Sequence, residues 1–315
     1  MEFNKFISEM SIGDEVDGYY ILKSAFPKVT TTGKPFLSAS FSDKTGAIEA
    51  KVWDYSGPID ASDEGKVIKI RGEVSEYRGT PQITVSQIRL ATEQDRYDVS
   101  TLVPVAPIDT DEELERIKAL VATMDDGDYR AICEEMLSRH EEEFKKIPAA
   151  KSVHHGFLSG LLMHTANMLR LADFLSGIYP EVIDRNLLLA GALLHDFSKA
   201  VEFTFSQLGL VTNYSVKGQL LGHLVMGAQE VAQVAADLGI PEDKSVLLQH
   251  LILSHHGEPE FGAAVKPICA ESELLSYIDM IDSKMEIYRE NFEQIPVGEV
   301  SGRVFALDKR IYHHG

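Results

Sequence analysis

At 315 residues the chain exceeds the usual size of one compact domain, so two domains with separate cores are expected. Its 44% hydrophobic and 25% charged residues describe a globular protein, and no stretch approaches the roughly 20 apolar residues that a membrane span needs. A formal net charge of −19 argues against a protein that coats nucleic acid, because such binding neutralises phosphates with Lys and Arg.

That acidity is uneven. Positions 1–95 hold 11 Lys/Arg against 15 Asp/Glu, or −4, and the rest holds 19 against 34, or −15, part of which bound divalent cations would offset. The start, MEFNKFISEM, lacks the basic and then apolar layout of a signal peptide. Cys133 and Cys269 are too few for a disulfide framework and lack the paired spacing of a zinc ribbon. A cytoplasmic location is expected.

In chain order, residues 14–23, 35–41, 47–53, 66–74 and 81–90 are β-branched or aromatic runs. Turn signals part them: Thr32-Gly33-Lys34, Ser42 to Gly46, and Arg78-Gly79-Thr80. Five strands in so short a span predict a small closed barrel of the OB or SH3-like kind. Ile48, Ala50 and Val52 alternate with Glu49 and Lys51, so one face is buried and the other wet. Phe36, Phe41, Trp53, Tyr55 and Tyr77 are candidates to stack bases, and Lys34, Lys51, Lys69, Arg71 and Arg78 to follow phosphates, although alternation sends about half of the aromatics to the core. Tyr77, Arg78 and Lys51 are preferred, as a loop tip and a polar strand face.

Residues 96–109, with Pro104 and Pro107, read as a linker between a barrel domain (1–95) and a helical domain (110–300), and 301–315 as a loose tail. Thr110 with Glu113 reads as a capping box opening the first helix. Helical stripes follow over 159–175, 185–200, 220–238, 244–254 and 271–288. The fold class is therefore an all-β barrel followed by an all-α bundle.

Within the helical half, ligand-type residues arrive in a fixed order: His164, His195-Asp196, His223, His255-His256 and Asp279. Each sits in an apolar context such as GLLMHT, GALLHDFSK or LLGHLVMG. Burying so many ionisable groups without partners is expensive, and a shared cation resolves the cost. Mixed imidazole and carboxylate ligation suits Mn or Fe first, with Co, Ni and catalytic Zn as alternatives. His164, His195, Asp196 and Asp279 would complete one site. His223 with His255 or His256 would supply a second ion, Asp196 bridging, an arrangement suited to phosphoester hydrolysis. Lys199, three residues after Asp196, reads as either a phosphate contact or a solvated helix end, and His154 or His155 as a proton donor to the leaving oxygen or a phosphate contact. His140 reads as part of a solvated helix face.

The ordered set His164, His195-Asp196 and Asp279 resembles the HD superfamily of metal-dependent phosphohydrolases. The longer stretches SVHHGFLSGLLMHT, LLHDFSK, ILSHHGEPEFGAAVKP and ESELLSYIDMIDSKM, preceded by GKPFLSASFSDKTGAIEAKVWD, resemble the YhaM family of bacterial 3′-to-5′ exoribonucleases over roughly residues 12–290. The resemblance implies an OB-type domain before an HD domain, a divalent metal, manganese above all, and trimming of single-stranded RNA with some action on single-stranded DNA. It puts metal binding on His164, His195, Asp196 and Asp279, extended to His223 and one or both of His255 and His256. The alternatives are a nucleotide or cyclic-nucleotide phosphohydrolase whose barrel is an interaction module, and a non-catalytic strand-binding factor. Homo-oligomerisation is compatible with any of these, and no membrane partner is expected.

Overall fold

The structure, a computed structural model, describes residues 3–150, 156–206 and 208–315. The chain divides into two compact units whose main boundary falls between Val105 and Ala106, within the segment 96–109, the short segment Ser206–Leu208 also grouping with the first unit. That segment carries a short helix, α1 (Val99–Leu102), which Asp98 caps and which buries Leu102.

The first unit is a closed barrel of β1 (Glu15–Val29), β2 (Pro35–Asp43), β3 (Gly46–Trp53), β4 (Val67–Tyr77) and β5 (Thr80–Leu90), in the order β1-β2-β3-β5-β4. Only β3 with β5 is parallel, and the other neighbours are antiparallel. The expected OB-like barrel is present. Ile48, Ala50 and Val52 face inward with Leu22, Phe41, Ile68 and Ile83, while Glu49 is exposed. Two backbone devices shape the barrel. β5 bulges at Ser86, opposite Arg71 and Gly72 of β4, where a Cβ on Gly72 would stand 2.5 Å from the Thr84 carbonyl oxygen. The β4–β5 hairpin turns on Arg78 (φ 53) and Gly79 (φ 82), the paired left-handed conformation of a type I′ turn.

The second unit is helical: α2 (Thr110–Val121), α3 (Gly127–Phe144), α4 (Gly160–Ile178), α5 (Arg185–Leu194), α6 (Lys199–Glu202), α7 (Val216–Asp237), α8 (Glu242–Ser254) and α9 (Ala270–Phe292). Its core runs through α2 to α5 and α7 to α9, with Ile132, Met136, Leu162, Leu188, Leu193, Val231, Leu251 and Leu275 fully enclosed. Gly191 lets α5 sit hard against its neighbours, since a Cβ there would stand 2.5 Å from Leu251 Cδ2 and 3.2 Å from Leu275 Cδ2. No helix of the described residues is long and apolar enough to cross a membrane.

Several expectations need correction. α2 is capped by Asp109, whose Oδ1 accepts from the amides of Asp111 and Glu112, so Thr110 is already helical and Glu113 does not reach back. The helix expected over 185–200 stops at Leu194, and His195 caps its C-terminus. A small hairpin, β6 (Phe203–Phe205) with β7 (Val211–Tyr214), follows α6 unforeseen. α7 is kinked at Gly222 (φ 72, ψ 160). The segment 301–315 is no loose tail: Ile311 is buried, Val304 bridges Lys309, and the His313 ring stacks on Phe292 at 4.3 Å, because apolar side chains return it to the end of α9.

His140 is likewise not a solvated residue. From α3 it meets Glu230 of α7 at 2.6 Å and packs edge-on against Phe197. The Glu230 hydrogen bond raises the His140 pKa above 6.5, and His140 lowers that of Glu230 below 4.5. A raised imidazole stabilises the fold fully below pH 6.5 and loses that contribution as pH climbs through its folded pKa. The depressed carboxyl contributes above pH 4.5 and fades in acid. Urea denaturation of His140→Gln should therefore show its largest deficit against the native chain between about pH 5 and 6.5, narrowing as pH rises to 9. A deficit independent of pH would mean that packing on Phe197, not the ion pair, is what His140 supplies.

Candidate metal centre

The ends and breaks of helices place the site. His164 lies in the first turns of α4, His195 and Asp196 just past the end of α5, His223 just after the α7 kink, His255 and His256 at the end of α8, and Asp279 along α9. In a helix interior consecutive side chains point about 100° apart, whereas past the end of α5 the chain leaves that geometry, and His195 and Asp196 are both buried.

Among the described residues two triads of ligand atoms each lie within 4.8 Å of one another: His164, His195 and Asp196, and His223, His255 and His256. Asp196 stands between them. Its Oδ2 is 3.3 Å from His195 Nε2 and 4.0 Å from His164 Nε2, while its Oδ1 is 3.3 Å from His223 Nε2 and 3.7 Å from His255 Nε2. Asp279 closes the first side, its Oδ1 3.5 Å from His164 Nε2 and accepting from Ser283 Oγ. All the metal-ligand candidates thus converge, with Lys199 beside Asp196, and His154 and His155 lie outside the described residues.

Four of the imidazoles are held by Nδ1, so Nε2 faces the others. His164 Nδ1 contacts Asp282 Oδ2 at 2.7 Å, and His223 Nδ1 meets both Glu202 oxygens at 3.1 Å. His195 Nδ1 donates to the Ala192 carbonyl at 3.0 Å and His255 Nδ1 to that of Ile252 at 2.8 Å. Carboxylate or carbonyl partners on the far nitrogen fix the tautomer and make the near nitrogen a better ligand. Asp282 and Glu202 escaped the sequence reading. Only their spacing, three residues after Asp279 and six after Asp196, hinted at them.

Glu202 does more than hold a ring. It also accepts the His223 backbone N–H at 3.0 Å, capping the helix segment that restarts after Gly222. α7 approaches closely enough that a Cβ on Gly218 would collide with the Glu202 carbonyl.

Electrostatics favour ligand-competent forms. Burial pushes the Asp196 carboxyl up, but Lys199, 2.6 Å away, together with His195 and His223, outweighs it and holds Asp196 well below the usual carboxylate range. Burial and then the adjacent His195 and His256 press His255 well below the ordinary imidazole value, which keeps it neutral. Burial also opposes the Lys199 charge, yet Asp196 prevails and its pKa is raised.

Asp196 Oδ1, His223 Nε2 and His256 Nδ1 are buried without hydrogen-bond partners. Leaving one such atom unsatisfied costs about 1–3 kcal/mol, so three in one cluster form a site shaped for something else. An imidazole and carboxylate donor set with inward-facing Nε2 atoms fits a divalent cation.

Residues 161–284 match the family model described as HD domain, and residues 24–91 the one described as OB-fold nucleic acid binding domain. The first description agrees with the imidazole and carboxylate donor set of the helical unit, and the second with the closed five-stranded barrel. Similar solved structures include a domain of replication protein A from Methanococcus maripaludis, 21% identical over 28% of this chain and 94% of that one, with a TM-score of 0.25. An OB domain from Methanosarcina mazei is 18% identical over 30% and 88% (TM-score 0.25). A replication protein A heterotrimer bound to ssDNA is 16% identical over 28% and 65% (TM-score 0.21).

Adding Mn²⁺ to metal-stripped protein should raise its melting temperature in step with concentration, by about 2.7 kcal/mol of stability at a hundredfold excess over Kd. Glu202→Gln, which cannot accept from both His223 groups at full charge, should shift that dependence to about 10–100-fold higher Mn²⁺. Scanning calorimetry across a Mn²⁺ series checks both.

Proposed function

We propose that the protein is a metal-dependent 3′-to-5′ exoribonuclease that shortens single-stranded RNA, and single-stranded DNA less readily, releasing nucleoside 5′-monophosphates. The carrying observation is Asp196, each of whose carboxylate oxygens faces a separate histidine group. His164, His195, Asp196 and Asp279 would hold one divalent ion and His223, His255 and His256 a second, with manganese the first choice. Ions held there would supply an activated water and neutralise charge on the phosphoryl oxygens.

The chain's own groups do the rest. Lys199 keeps Asp196 ionised and puts a second cationic group beside the reacting phosphate. Asp282 and Glu202 orient the rings of His164 and His223. His154 or His155 would donate a proton to the leaving oxygen or contact the phosphate.

The barrel supports a nucleic-acid substrate over a small one. Lys51, Tyr77 and Arg78 line one open pocket of about 360 Å³ with Glu49, Pro81 and Gln82. Tyr77 is 56% exposed and the Arg78 guanidinium lies 5.3 Å over its ring, a platform on which a base can stack. Lys51 donates to Ser38 Oγ at 2.6 Å beside Phe36 and the exposed Trp53, whose rings pack at 5.2 Å. Other candidates are spent elsewhere. Phe41 is core, the Tyr55 hydroxyl accepts from the Ile59 amide, and Arg71 is tied to Asp17. The direction of digestion and the preference for RNA rest on the resemblance to the YhaM family.

Incubating the protein with 5′-labelled single-stranded RNA and Mn²⁺ should give a ladder shrinking one nucleotide at a time, abolished by chelator and by Asp196→Asn, with RNA binding retained in the variant. An intact oligomer alongside consumed free or cyclic nucleotides would instead favour a small-molecule phosphohydrolase. Arg78→Gly should stabilise the barrel by about 1 kcal/mol, because it relieves a left-handed non-glycine residue, yet weaken RNA affinity. Thermal unfolding and fluorescence anisotropy read the two effects separately.

A further inference from the structure

On α4, Asn167 and Arg170 continue the stripe begun by His164 at successive spacings of three residues. They make a continuous chain of hydrogen bonds. His164 Nδ1 meets Asp282 Oδ2 at 2.7 Å, Asn167 Nδ2 donates to Asp282 Oδ1 at 2.9 Å, and Arg170 Nη1 donates to Asn167 Oδ1 at 2.9 Å. Arg170 Nη2 then donates to Glu113 Oε1 on α2, and Arg116 Nη1 to Glu113 Oε2 at 3.1 Å. Because guanidinium only donates and carboxylate only accepts, the Asn167 amide has one orientation that satisfies both ends.

We propose that Asn167, Arg170 and Glu113 are positioning residues that set the metal affinity of the His164 side of the site from outside it. The inference rests on the metal reading above and adds to it residues beyond the ligands and their immediate partners, one of them on a helix outside the segment 161–284 that matches the HD domain.

Three observations carry it. Asp282 is gripped on both oxygens, so its rotamer and its pull on the His164 Nδ1 proton are fixed together. Glu113 is only 4% exposed, although a carboxylate buried against guanidinium groups adds little net stability compared with apolar packing. The Arg170 side chain is 53% exposed, a surface helix position at which most residues serve equally well unless the two-pronged contact matters. Lysine, with a single ammonium, would not bridge Asn167 and Glu113 in this manner.

The test is Mn²⁺ titration calorimetry on the metal-stripped full chain, with the melting temperature of each metal-free protein measured beside it. Asn167→Ala keeps helix propensity, and Arg170→Met keeps the apolar stem while removing both donors. Asn167→Ala should weaken Mn²⁺ binding by about 10-fold, the lower end of the range for outer partners of a ligand, and Arg170→Met should weaken it less. Since Arg170 acts through Asn167, the double variant should bind no more weakly than Asn167→Ala alone. Native Mn²⁺ affinity in both single variants, with or without a lower metal-free melting temperature, would overturn the proposal and leave the metal reading standing. Failure of the unsubstituted protein to bind Mn²⁺ would overturn the metal reading itself.

Discussion

A carboxylate almost wholly removed from water, with an imidazole group on either side of it, is the constraint around which the helical unit is organised. Asp196 is 3% exposed, and bringing it inside would cost several kcal/mol were it not for the Lys199 ammonium at 2.6 Å and the histidines that surround it. Those partners must come from five separate helices, so the helices must approach closely. Gly191 on α5 and Gly218 on α7 are where that closeness is visible, since neither position has room for a methyl group. Packing and site are thus one requirement. The apolar core holds the helix ends at the spacing that the polar cluster needs, and the cluster leaves unsatisfied atoms that only an added group can complete.

The helix termini explain why the sequence disclosed the membership of this cluster more readily than its geometry. Histidines and aspartates within apolar stripes such as GLLMHT and GALLHDFSK stand out, because nothing in ordinary core packing calls for them. Their common destination was therefore legible. Periodicity, however, runs smoothly from Arg185 past His195 to Ala200, although the chain leaves the helix at Leu194. The break at Gly222 is equally silent, a glycine inside a helical pattern being tolerated far more often than it kinks. Asp282 and Glu202 were illegible for another reason. A carboxylate that orients a histidine needs no particular neighbours in sequence, only a position across from the ring, and His164 and Asp282 are 118 residues apart.

The barrel shows the same division. Alternation in Ile48, Ala50 and Val52 settled which face is inside, and turn residues bounded β2 to β5 to within a few positions, whereas β1, expected to end at Lys23, runs on to Val29. Which aromatics point outward was a matter of parity within each strand. Phe36 and Phe41, five apart on β2, fall on opposite faces, the first beside Trp53 and the second fully buried. The β4–β5 turn was marked by Gly79, but the left-handed conformation of Arg78 before it was not, since a charged residue there goes against local preference. Strain of this sort at an exposed loop tip, with the guanidinium laid over Tyr77, is the kind of local inconsistency that points to use rather than stability.

Charge sets a limit on how a nucleic-acid strand would be held. Many of the barrel's cations are already engaged: Arg71 with Asp17, Arg89 with Asp95, Lys66 with Asp63, and Lys69 over the rings of Phe3 and Tyr19. An acidic chain with its basic groups so committed gains little from releasing counterions along a phosphate backbone. On the proposed reading, the grip must come mainly from base stacking on Tyr77 and the Phe36–Trp53 pair, with Lys51 and Arg78 supplying a few phosphate contacts. Stacking tolerates any base and releases it readily. That suits an enzyme which must let its substrate advance after each cleavage, and it reconciles a strand-handling role with a net charge that at first argues against one.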